Sequence, residues 1–372
     1  MNKYKEVFDP EVYEFYKPAL EGPGFDAPFT VDDIEWLRED EVKRHAAHTD
    51  PYEVFETFDK FIQRPAGEEG NEESGDADPL MVRVYIPKSV HDMTLARKAA
   101  ASGKTNAAGQ CGVAAAKTDA ADKCAEAAGK ISAGAPVLLY FHGGGYVMGC
   151  VDDHDPLCGK LADACEAVVI SVEYRLAPEH PFPACIDDAV LAADWAYKNA
   201  RKFGGDPDKL MAGGDSSGAN ISAVLALLGK AGKAPKLSYL ILFYGVYGCI
   251  DLADSESAKE FGQGGFVLPV NAMNEMMKIY LPDGADPEDI RVAPGLAEDL
   301  SGMPPAVIVS AEFDPLRDDG EEFARRLEKA GNDIELIRMD GMMHGFILYY
   351  QRFHRAEELL EKIGDGVKAR FA

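Results

Sequence analysis

Gly214-Asp215-Ser216-Ser217-Gly218 follows an apolar run (209–213) and precedes a helical stretch (217–231). In that setting a G-x-S-x-G sequence predicts a sharp strand-to-helix turn with the serine hydroxyl pushed to the top of a sheet. The helix N-terminus adds partial positive charge where an oxyanion would form. A small-residue turn with an N-capping serine is the structural alternative. A nucleophilic serine needs a base, and the base needs an orienting carboxylate. Behind a parallel-sheet elbow these groups come in the order serine, acid, histidine. Of the eight histidines only His344 and His354 follow Ser216. His354 lies in an amphipathic terminal stretch and reads as solvated surface, whereas His344 sits in the loop "MDGMMHGF". Asp314 comes directly after the strand-like run 306–311, while Asp318 and Asp319 read as first-turn helix residues that favour the dipole. Ser216, Asp314 and His344 are therefore the candidates for acyl transfer.

A second stretch, "VLLYFHGGGYVMG" (137–149), ends an apolar strand in His142 and three glycines. Whatever such a loop does, it does with its backbone. The next glycine after Gly145 is Gly149, which breaks the dinucleotide-binding spacing, and no Gly-Lys-Ser/Thr follows for a phosphate loop. Its place before the elbow is that of an oxyanion-hole loop of H-G-G-G type. The run Asp152, Asp153, His154, Asp155 could be mistaken for a metal cluster. Consecutive residues on a helix cannot all face one ion, so helix capping is the better reading.

These residues need a scaffold. Strand-like runs at 80–87, 137–141, 168–173, 209–213, 238–244, 306–311 and 334–338 alternate with helical stretches at 155–166, 184–203, 217–231 and 318–330. Near-continuous apolar strands between helices predict a mostly parallel sheet covered on both faces, with its site at the strands' carboxyl ends. Residues 1–61 are rich in aromatics, as helices docked on the core or as a lid over an apolar substrate. Residues 249–295 interrupt the alternation and can join 1–61 as a helical cap, leaving 62–248 and 296–372 as core. Residues 64–79 read as an acidic hairpin loop, and the Ala/Gly-rich 89–135 as a low-complexity surface insertion.

The chain has 372 residues, 47% of them hydrophobic and 27% charged, which suits a soluble globular protein. A net charge of −26 opposes binding to nucleic acid or to an anionic membrane surface. The N-terminus lacks a signal-type apolar core, and no run suits a bilayer span, so a cytoplasmic protein without stable membrane insertion is expected. Seven cysteines, an odd number without a CxxC pair, read as reduced thiols.

With "YFHGGGYVMG", "VEYRLAPEHPFPA", "GGDSSGAN", "SAEFDPLRDDG" and "MHGF" in this order, the sequence resembles the hormone-sensitive lipase family of α/β-hydrolase carboxylesterases, over about residues 136–365. The resemblance implies an α/β-hydrolase fold with a helical cap and hydrolysis of small, largely apolar esters of short acyl chain. Ser216 would be nucleophile, His344 base and acid, and Asp314 orienter. The oxyanion donors would be the backbone N–H groups of Gly144, a neighbouring glycine (Gly143 or Gly145) and Ser217. His142 would hold the glycine loop, and Glu173, Tyr174 and Arg175 would brace the scaffold. No cofactor or metal is implied; the partner is a small-molecule ester, and homo-oligomerisation stays open. A deacetylase, amidase or thioesterase could use the same triad. A hormone receptor of this fold, as in the plant gibberellin receptors, lacks the histidine present here as His344. The chain departs from the family pattern at Ser217, where alanine is usual, at Gly245, where proline is common, and in 89–135.

Overall fold

The computed structural model describes residues 8–21, 56–65, 78–101, 134–263 and 268–372. Most of the aromatic-rich segment (22–55), the acidic loop (66–77) and the bulk of the insertion (102–133) lie outside these residues.

Among them one sheet holds eight strands: β1 (Glu56–Ile62), β2 (Leu80–Ile86), β3 (Ala135–Phe141), β4 (Val168–Val172), β5 (Gly205–Asp215), β6 (Tyr239–Phe243), β7 (Ala306–Phe313) and β8 (Ile334–Met343). Their spatial order is β1-β2-β4-β3-β5-β6-β7-β8. The β1–β2 and β2–β4 pairs are antiparallel and all others parallel. Every residue of β3, β4 and β6 is buried, as strands covered on both faces must be. Each Val or Leu removed from water there contributes about 1.5–3 kcal/mol.

Helices α1 (Pro10–Glu21), α2 (Lys88–Ala101), α3 (Asp155–Cys165), α4 (Ala184–Asn199), α5 (Ser217–Lys230), α6 (Glu256–Phe261), α7 (Val270–Tyr280), α8 (Arg317–Lys329) and α9 (His354–Phe371) complete the layers. Their apolar faces close two core clusters, one on each side of the sheet. This is the mostly parallel, doubly covered sheet that the alternation predicted, in the α/β-hydrolase arrangement that the resemblance implied.

Three boundaries differ from the sequence reading. Residues 56–61, expected in the cap, belong to the edge strand β1. Phe58 pairs with Val84 and packs on Phe203 at 5.7 Å, and Ile62 is buried opposite Leu80. The segment expected as insertion opens with α2, anchored by the fully buried Val90, and its last residue, Ala135, already pairs in β3. Strand β8 runs to Met343, so His344 comes directly off a strand end rather than from a separate loop. Helix α1 packs on the core: Phe8, Val12 and Tyr13 are buried, and Phe8 meets Phe313 edge-on at 4.5 Å.

Candidate active site

The elbow forms where β5 meets α5. Ser216 has φ +52° and ψ −119°, a left-handed conformation that costs a non-glycine residue about 1–3 kcal/mol. Its N–H is fixed by the Phe243 carbonyl at 2.9 Å. The turn closes only because Gly218 has no side chain: a Cβ there would lie 1.9 Å from the Phe141 carbonyl oxygen.

The structure brings the three candidates together from three strand ends. His344 Nε2 lies 3.0 Å from Ser216 Oγ, and His344 Nδ1 lies 2.8 Å from Asp314 Oδ2. Asp314 is wholly buried, and its second oxygen accepts the Leu316 N–H at 2.8 Å. The carboxylate is thereby locked in rotation. The Tyr244 ring stands 4.8 Å from the His344 ring and closes its other side. His354, by contrast, sits at the exposed start of α9 beside Glu358.

The glycine loop runs beside the elbow. Gly144, Gly145 and Tyr146 have φ of +114°, +62° and +66°, three left-handed residues in a row. Among the described residues no acceptor takes the N–H of Gly144, Gly145 or Ser217. Gly143 is different. Its N–H donates to Asp215 Oδ1 at 3.0 Å, so this amide, one of the expected oxyanion donors, is already committed. A Cβ at Gly143 would press on the same carboxylate at 2.4 Å.

Asp215 was missed as a functional position. Its buried carboxylate also accepts the Tyr140 O–H at 2.8 Å and lies 3.2 Å from His154 Nε2. Burial pushes the carboxyl up, but His154 and the Tyr140 hydroxyl outweigh it and hold Asp215 below the ordinary carboxylate range. The signal was a charged residue at the end of a strand, in a sheet that must bury it. His154 is 61 residues away in the acidic run read as a cap, and spacing could not pair the two. Asp155 of that run accepts from Arg83 Nη1 at 3.1 Å and from the Tyr85 hydroxyl at 2.6 Å.

His142 supports the loop from below. Its Nδ1 is 2.8 Å from the Gly143 carbonyl, its ring stacks on Tyr174 at 4.1 Å, and the Tyr174 hydroxyl donates to the His142 carbonyl at 2.8 Å. Burial, then the neighbouring His154, lowers its pKa to about 3, so the ring is neutral. Glu173 accepts the Val151 N–H at 2.7 Å, and Arg175 pairs with the buried Asp188 at 3.0 Å. Gly245 faces the Tyr247 hydroxyl, which would be 2.3 Å from any Cβ there. Asp319 does more than face a helix dipole: its two oxygens accept the N–H groups of Tyr247, Gly248, Cys249 and Ile250 at 2.5–3.1 Å.

Residues 138–348 match the family model of the alpha/beta hydrolase fold. The chain belongs to the hormone-sensitive lipase family of α/β-hydrolases. As a member of that family it is 42% identical to carboxylesterase NlhH of Mycobacterium tuberculosis over 219 residues, 57% of this chain and 66% of that protein. It is 35% identical to an ethyl acetate hydrolase of Pseudomonas putida over 239 residues, 63% of this chain and 73% of the relative. A hyperthermophilic esterase from the archaeon Pyrobaculum calidifontis superposes with a TM-score of 0.76 at 27% identity, covering 98% of this chain and 99% of that one. The chain thus spans about two thirds of the length of the first of these curated relatives. Among the described residues no cluster of His, Cys, Asp or Glu could hold a metal ion, and no helix is long and apolar enough to cross a membrane.

Proposed function

We propose that this hormone-sensitive lipase family member is a carboxylic ester hydrolase that works by two-step acyl transfer. The observation that carries the reading is the line Asp314 Oδ2–His344–Ser216 Oγ, with contacts of 2.8 and 3.0 Å beside three unclaimed backbone amides. His344 takes the Ser216 proton as Oγ attacks the ester carbonyl. Asp314 keeps the Nδ1–H tautomer and stabilises the imidazolium that forms. The amides of Gly144, Gly145 and Ser217 hold the tetrahedral oxyanion, with Gly143 spent on anchoring the loop. Losing one such donor raises the barrier by about 3–4 kcal/mol. His344 then protonates the leaving alcohol, and water, deprotonated by the same imidazole, releases the acid. The names of the relatives from M. tuberculosis and P. putida support an ester substrate, and helix α7, which lays Met276 and Tyr280 against the loop, suits small, uncharged acyl groups.

The test is a panel of acyl esters from two to twelve carbons, with matched amides and thioesters, read as kcat/KM. Short-chain esters are expected to lead; a clear amide preference overturns the ester assignment. A phosphonate probe should label wild-type protein once, at Ser216, and leave Ser216→Ala unlabelled. Folded protein that takes no label overturns the mechanism.

A further inference from the structure

Tyr146 is a bulky residue at φ +66°, next to two glycines that share the left-handed region. Such a conformation persists only where the surroundings over-determine it. The chain supplies one backbone hold, from the Ala177 N–H to the Tyr146 carbonyl at 2.9 Å. The other hold comes from a distant part of the sequence. The Tyr146 ring lies flat on the ring of Tyr280, the last residue of α7, with centroids 4.0 Å apart and planes at 9°. Tyr280 is itself fixed on every side. Phe182 meets it edge-on at 5.8 Å, the Phe182 N–H donates to its carbonyl at 2.9 Å, and its hydroxyl contacts Cys185 Sγ at 3.3 Å. One turn earlier Met276 lays its thioether where a Cβ on Gly145 would be, 2.4 Å from that position. Helix α7 therefore presses on both Gly145 and Tyr146, the two residues after Gly144.

We propose that Tyr280 is a positioning residue for the oxyanion donors: through its stack on Tyr146 the cap helix sets the direction of the Gly144 and Gly145 amides. This rests on the esterase reading above. Tyr280 touches neither the substrate nor the reacting atoms; it acts through the loop. Donors aimed at a developing charge lower the barrier only if they are held before the charge forms. A loop freed from the stack would still admit the ester but would stabilise its tetrahedral state less.

The variants are Tyr280→Phe, which keeps the ring, and Tyr280→Leu, which keeps bulk without it. Each is assayed for kcat and KM on a short-chain ester. Each is also titrated with phenylboronic acid, whose boron accepts Ser216 Oγ while the serine proton passes to His344, giving a tetrahedral boronate anion in the oxyanion position. Tyr280→Phe should stay within about twofold of wild type, and Tyr280→Leu should lose at least about tenfold in kcat with KM little changed. Boronate affinity should fall by the same factor as kcat. Packing alone would lower the melting temperature without this matched loss. Tyr146→Gly gives a second route, because glycine keeps the positive φ without strain while removing the ring. It should show the same kcat loss even if Tyr280→Leu fails to fold. Full kcat and full boronate affinity in folded Tyr280→Leu or in Tyr146→Gly overturn the inference alone. A wild-type protein with no ester hydrolysis overturns the function it rests on.

Discussion

The Gly143 N–H donates to Asp215 Oδ1 at 3.0 Å, tying the first glycine of the loop to the residue that precedes Ser216. The loop and the elbow, 72 residues apart in sequence, are therefore tied by a buried hydrogen bond. The same carboxylate takes the Tyr140 hydroxyl and faces His154, so it neutralises several buried donors at once.

Removing that carboxylate should be expensive. Asp215→Ala leaves the Gly143 N–H and the Tyr140 hydroxyl buried without an acceptor, each at about 1–3 kcal/mol. Asp215→Asn keeps one acceptor oxygen and should cost less. Urea unfolding is expected to rank wild type above Asn above Ala, with Ala at least about 3 kcal/mol down. An alanine variant within about 1 kcal/mol of wild type would show that the network is not what holds the loop.

Asp314→Asn should leave the fold in place while kcat falls by about three to four orders of magnitude, because the amide no longer selects the His344 Nδ1–H tautomer. Steady-state kinetics with circular dichroism of the same sample checks this. A loss below about tenfold would remove Asp314 from the proposed role.

His142 makes acid stability predictable. Its folded pKa of about 3 lies below the ordinary value of 6.5, so the unfolded chain binds the proton first. Below pH 6.5 stability must fall as pH falls, by up to about 1.4 kcal/mol per unit, until the folded ring titrates near 3. Asp215 adds no slope above the ordinary carboxylate range: its carboxyl is depressed, so its contribution is present above its unfolded value of 3.8 and is lost as pH falls from there through the folded value. Burial raises the carboxyls of Asp153, Glu173 and Asp319, and they bias the slope the other way near the carboxylate range. Unfolding free energies of wild type and His142→Gln at pH 7, 6 and 5 read the histidine by difference, since the groups not coupled to it cancel. The variant should be less stable at pH 7 and show the shallower slope; parallel slopes would refute a neutral buried His142.

Asp318 and Asp319 are adjacent but should behave very differently. Asp319→Ala strands one buried and three half-buried N–H groups after β6 and should lose at least about 3 kcal/mol, with the loop 247–250 exchanging amide hydrogen faster. Asp318→Ala loses the Ser257 N–H contact at 2.8 Å on a half-buried group and should cost about 1 kcal/mol. Equal costs would mean that the four-amide cradle contributes nothing beyond a helix dipole.

Much of this protein is legible in its sequence. Chain order and strand context singled out Ser216, Asp314 and His344, because an elbow in a parallel sheet constrains which residues can follow it. The alternation of buried strands and helices predicted the layered sheet for the same reason: each apolar run was long enough to be a strand and too short to be a buried helix. Local spacing carries such information because it acts within one element or between neighbours.

What the sequence could not supply was the pairing of distant polar and aromatic groups. Asp215 read as the variable position of a motif, yet its charge is spent on Gly143, Tyr140 and His154. Gly143 and Gly145 stood as alternatives beside Gly144, and the hydrogen bond to Asp215 separates Gly143 from the other two. Asp319 looked like a dipole residue until four amides of a loop 70 residues away converged on it. Tyr146 and Tyr280 carried no mark of being partners. Residues 56–61 read as aromatic cap because β1 alternates weakly, and pairing with β2 overrode that pattern. The physical reason is common to all of these. A buried hydrogen bond or ring stack is specified by position in three dimensions, within an ångström and a few tens of degrees, and the chain crosses the sheet between the two partners. Sequence determined which residues could do the chemistry; tertiary structure decided which loop amides have no acceptor within the protein.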